Sequence, residues 1–60
     1  MKVTKGDIVW VTLFEGEEPV EATVWVLLSE QIIVVTRAGH QMFLFNRDEG
    51  VTWTTQRPAK

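Results

Sequence analysis

Ile32-Ile33-Val34-Val35-Thr36-Arg37-Ala38-Gly39-His40-Gln41-Met42-Phe43-Leu44-Phe45 is the stretch that decides the fold. On either side of Arg37-Ala38-Gly39 the residues are mostly β-branched or aromatic, the side chains that suit a pleated, packed surface. Gly39 supplies the positive φ that a three-residue hairpin loop with a glycine bulge requires. That loop predicts a register: Thr36 opposite His40, Val34 opposite Met42, and Ile32 opposite Leu44. The other face then pairs Val35 with Gln41 and Ile33 with Phe43, with Phe45 beyond. Both faces are largely apolar, so the hairpin is not expected to be covered on one side and wet on the other. Two choices of core face stay open. Ile33, Val35, Phe43 and Phe45 are bulkier, while Ile32, Val34, Met42 and Leu44 are more evenly apolar.

Working back towards the N-terminus, Val20 to Leu28 admits two readings. Pro19 could open a helix with Val20, Val24 and Leu27 on one stripe. The β-branched residues around Trp25 and the alternating polar Glu21 and Thr23 favour a strand. Strict alternation then turns Ala22, Val24, Val26 and Leu28 inward and Glu21, Thr23, Trp25 and Leu27 outward. Residues 15–19, Glu-Gly-Glu-Glu-Pro, read as a solvated loop. The four glutamates within residues 15–21 lack the organised ligand spacing of a calcium site, and no metal is expected. Ile8 to Phe14 reads as the first strand, with Val9, Val11 and Leu13 inward and Trp10 outward. Residues 1–5 read as a frayed or edge lead-in, and Gly6-Asp7 as a turn.

Beyond the hairpin, residues 46–50 are a polar connection ending in glycine, and Val51 to Thr55 a short last strand. Trp53, Phe43 and Phe45 read as core plugs in a barrel short of volume. The polar, proline-containing tail 56–60 reads as a disordered end. The expected organisation is a single domain over 1–60 with an ordered core at about 5–55.

Sixty residues without cysteine leave one small core and no disulfide or thiolate metal site to reinforce it. A chain of this size buries only roughly 60% of its unfolded surface. Six Lys/Arg against eight Asp/Glu, a net charge of −2, give no electrostatic reason to expect DNA or an anionic membrane as partner. No stretch approaches the length of a membrane-spanning helix, and Met1 to Asp7 lacks the apolar run of a signal peptide. The expected setting is soluble, reducing and cytoplasmic.

Five short strands separated by turns predict an all-β chain, an antiparallel meander curled into a small barrel. Lys5-Gly6-Asp7-Ile8-Val9-Trp10-Val11 resembles the opening strand of SH3-like barrels, including Tudor, PWWP and KOW types. The Glu-rich loop, the Ala22-Thr23-Val24 strand and the Gly39 hairpin come next in the order of such barrels, over about residues 5–53. The acidic-aromatic motif of peptide-binding SH3 domains and the Pro-Trp-Trp-Pro element are absent, so no ligand residue of those families carries over.

Catalysis is not expected. His40 is the sole histidine, sits at a hairpin end, and has no nameable activating partner. No cofactor is implied. The apolar excess needs a destination, and protein–protein binding or self-association through outward aromatic residues is the expected function. The candidate binding residues are Trp10, Trp25, Leu27, Phe43 and Arg37. The alternative is a nucleic-acid-binding barrel that stacks bases on Trp10 and Trp25 and uses Arg37 and Lys5 for charge. A compact, acidic, cysteine-free chain suits a small bacterial or phage regulator.

Overall fold

The computed structural model describes residues 3–58. Met1, Lys2, Ala59 and Lys60, which belong to the expected lead-in and tail, lie outside the described residues. Five antiparallel strands, β1 (Ile8–Val11), β2 (Val20–Leu27), β3 (Gln31–Thr36), β4 (Gln41–Phe45) and β5 (Trp53–Thr54), form one sheet in the order β4-β3-β2-β1-β5. The first four make a meander, and β5 returns beside β1. A single turn of 3-10 helix, Asn46–Asp48, connects β4 to β5. The sheet curls into a half-barrel.

The hairpin forms in the register that its sequence predicts. Ile32 faces Leu44, Ile33 faces Phe43, Val34 faces Met42 and Val35 faces Gln41. Gly39 holds φ at +92°, and its N–H donates to the Thr36 carbonyl at 2.8 Å. The Thr36 N–H in turn donates to the His40 carbonyl at 2.8 Å. Of the two possible core faces, the evenly apolar one is inside: Ile32, Val34 and Leu44 are buried, with Met42 packed against them. Phe43 and Phe45 stay exposed on the other side.

The inner face is laid down row by row across the ladders. Val24, Val34 and Met42 stand in one row, Val9 and Ala22 in the next, and Val11 opposite Trp53 in a third. No polar or charged residue is buried among the described residues. Each fully buried aliphatic side chain contributes roughly 1.5–3 kcal/mol, so a handful of such rows carries a domain this small. Trp53 is the largest plug, 1% exposed, and its indole Nε1–H donates to the Phe45 carbonyl at 2.8 Å. That bond links the last strand to the end of β4, although the two do not pair along their backbones.

Residues 20–28 form a strand and not a helix, but the expected alternation fails halfway along it. Val24 faces Val34, whereas Val26 faces Ile33, so the ladder skips one residue at Trp25. Such a bulge inserts one unpaired residue and exchanges the faces of everything after it. Val26, expected in the core, is consequently turned out with Ile33. Leu27, expected outside, stands opposite Ile32 on the inner side, at the rim where it remains exposed. Leu28, also expected in the core, lies past the strand end and is exposed.

Three other boundaries differ. β1 stops at Val11, because the chain turns at Phe14, whose carbonyl accepts from Glu17 N–H. Leu13 therefore leaves the core and is 48% exposed. The lead-in is not frayed at Val3, which is buried in the core. A turn holds it there: Asp7 N–H donates to the Thr4 carbonyl, and Thr4 N–H donates to Asp7 Oδ2 at 2.9 Å. Gly6, at φ +96°, occupies the third position of that turn, where a type II turn requires positive φ. Finally, β5 is confined to Trp53 and Thr54.

Candidate functional site

The outer face carries the apolar surface that the small core cannot absorb. Cross-strand pairing sets Val26, Ile33 and Phe43 in one row over β2, β3 and β4. Val26 is 40% and Phe43 59% exposed, while Ile33 between them is half-buried. Trp25, the bulge residue next to Val26, is 58% exposed. Phe45 lies two residues beyond Phe43 on the same face of β4 and is also exposed. Monomeric proteins commonly scatter single apolar side chains on the surface, but residues joined by pairing and sequence adjacency form a patch.

Charge borders the patch on both sides. Lys5, Gly6, Thr23, Val24, Trp25 and Val26 line a shallow groove of about 350 Å³. The Gly6 N–H donates to the Val24 carbonyl at 2.8 Å, which brings the lead-in alongside the bulge. At the opposite border the Arg47 guanidinium sits over the Phe45 ring, 5.0 Å from its centroid, an attraction between a cation and the negative face of the ring. Ser29, Glu30, Phe45, Asn46 and Arg47 line a second groove of about 280 Å³ there. Asn46 N–H donates to the Glu30 carbonyl at 2.9 Å.

No family model, curated protein or solved structure matches the chain.

The residues singled out from the sequence are distributed unevenly around this surface. Trp25 and Phe43 belong to the patch. Leu27 is exposed but belongs to the inner-face row. Trp10 is half-buried on β1 between Glu21 and Thr54, outside the Val26–Ile33–Phe43 row. Arg37 is exposed in the hairpin loop, at the far end of β4 from Phe45. Val26, Ile33 and Phe45 were not singled out. The bulge that turns Val26 outward has no glycine or polar residue to mark it.

His40 is exposed, and its N–H donates to the Thr36 Oγ1 at 3.1 Å. Among the described residues, no three His, Asp or Glu side chains gather as a metal ion would need. No helix among them is long and apolar enough to cross a membrane.

Proposed function

We propose that the chain is a non-enzymatic interaction domain, an SH3-like barrel that binds protein surface through its outer face in a cytoplasmic setting. One observation carries this reading: Val26, Ile33 and Phe43 stand in one cross-strand row, with exposed Trp25 beside it. An aromatic flanked by aliphatic side chains and rimmed by Lys5 and Arg47 has the make-up of an interface centre with a polar rim. The barrel type is supported by the strand order β4-β3-β2-β1-β5 and by the single 3-10 turn before the last strand.

The test is a displayed-peptide selection on the immobilised wild type, with Phe43→Ser and Trp25→Ser as controls. Peptides enriched on the wild type should bind at least about tenfold more weakly to either variant, the range expected for an interface hot spot. Binding should hold or strengthen as salt rises. Selected peptides that bind both variants as well as the wild type would overturn the reading.

A second reading has one observation in its favour, the placement of Lys5 beside Trp25 and of Arg47 over Phe45. Single-stranded nucleic acid uses such pairs of stacking ring and cation. Binding of that kind would fall steeply with salt and would be lost on charge reversal at Lys5.

A further inference from the structure

Besides its faces, the sheet presents an edge. Among the described residues β4 is the outermost strand on its side and pairs only with β3. Along an antiparallel pair, successive residues alternately exchange hydrogen bonds with the neighbour and turn their N–H and C=O away from it. The bonds Thr36 N–H to His40 C=O and Asn46 N–H to Glu30 C=O fix the phase of that alternation. His40, Met42, Leu44 and Asn46 face β3. Gln41, Phe43 and Phe45 therefore direct their backbone groups to the free edge. Among these edge groups the Phe45 carbonyl already receives the Trp53 indole N–H, which leaves that oxygen one lone pair for a partner strand.

Sheet edges are ordinarily protected by a charge, a proline, a bulge or a covering segment. Gln41-Met42-Phe43-Leu44-Phe45 has neither charge nor proline, and its ladder with β3 is regular. Taking the chain as a protein-binding domain, the geometry points to a second copy as the partner. The two β4 edges pair antiparallel about a two-fold axis at Phe43, so that one sheet runs through both copies.

This strand is self-complementary in that arrangement. Phe43 meets Phe43 of the second copy, Met42 meets Leu44, and Gln41 meets Phe45, outward residue against outward and inward against inward. The Val26–Ile33–Phe43 row then continues into the same row of the second copy. Charge agrees with the antiparallel sense. Each hairpin tip, with Arg37 and His40, comes beside the other copy's turn, with Arg47, Asp48 and Glu49. The tip is positive and the turn is net negative, which favours a second copy over an arbitrary extended peptide.

Sedimentation equilibrium from the micromolar to the millimolar range, with amide exchange at single residues, tests the proposal. The mass should rise from one chain to two. Over the same range exchange should slow at the Gln41 and Phe43 amides. Gln41→Pro removes one edge donor from each copy while keeping Phe43 and the Val26–Ile33–Phe43 row. Dimerisation should weaken about tenfold or more, since symmetry deletes two hydrogen bonds at once. If the proline disturbs folding, Gln41→Lys sets two ammonium groups near the pairing line and should weaken dimerisation as well. Phe14→Ser, which changes an exposed side chain in the β1–β2 turn away from both the edge and the patch, should leave dimerisation unchanged.

A mass that stays at one chain throughout would overturn the proposal. So would exchange at Gln41 and Phe43 that ignores concentration, or a dimer sensitive to Trp25→Ser and indifferent to Gln41→Pro. A monomer that still binds its selected peptides would refute the edge dimer alone and leave the outer-face reading standing.

Discussion

Replacing Trp53 with phenylalanine tests the physical account of the core most directly. Trp53 is 1% exposed, faces Val11, and donates its indole N–H to the Phe45 carbonyl at 2.8 Å. Phenylalanine keeps an aromatic body in the same place but removes that donor and a few tens of cubic ångströms of ring. The lost hydrogen bond costs about 0.5–1.5 kcal/mol. The void adds about 1 kcal/mol at roughly 24 cal/mol per Å³. The expected sum is about 2 kcal/mol. At roughly 0.05–0.15 kcal/mol per residue, a chain of sixty residues has about 3–9 kcal/mol in total. The substitution therefore removes a large share of the stability without abolishing the fold.

Urea unfolding followed by far-UV circular dichroism reads the effect. With a slope of about 1 kcal/mol/M for so small a domain, the midpoint should fall by about 2 M. Measurements at micromolar chain concentration keep association from contributing. Trp25→Phe is the control: that ring is largely exposed, and the change should stay within about 0.5 kcal/mol. A Trp53→Phe midpoint indistinguishable from that of Trp25→Phe would refute the account of Trp53 as the plug that ties β5 to β4.

Two further outcomes are expected in the same assay. Gly39→Ala should cost about 1–2 kcal/mol through backbone strain at positive φ, because a Cβ placed there meets nothing within 4 Å; a neutral result would mean the loop relaxes into another turn. Val34→Ala should cost about 2 kcal/mol and Val35→Ala well under half of that, since the first side chain is fully buried and the second half-buried on the outer face; equal costs would put the wrong face of the hairpin in the core.

The hairpin was legible because two independent signals agreed there. Gly39 specified the loop, and an unbroken alternation on each side specified the pairing. The inward set of β1 was legible up to Val11 for the same reason. Which hairpin face is buried was not, since both are apolar. The rest of the sheet decides it: the inner face of β2 carries buried Ala22 and Val24, and Val34 stands beside Val24 in the same buried cluster. The bulge at Trp25 was hidden by composition. Val24, Trp25, Val26, Leu27 and Leu28 are all apolar, so no polar residue betrays the change of face, and counting by twos ran straight through it. The outer row of the candidate site depends on that one skipped residue, which is why alternation puts Val26 in the core and Leu27 outside. Val3 was missed because its burial depends on a turn far shorter than any periodic signal.

The irregularity in β2 also sets how the gene could shorten. Excising Trp25 would join Val24 directly to Val26, and Val34 and Ile33, their partners, are already consecutive. Every other pairing in the sheet could then survive the deletion, with the loss confined to one exposed indole. Removing a residue from the regularly paired Ile32–Val35 run would instead slide the remainder of that strand by one place and bring the wrong side chains under cover. The half-barrel thus contains one position at which its length is negotiable, and that position holds an aromatic ring of the candidate binding surface.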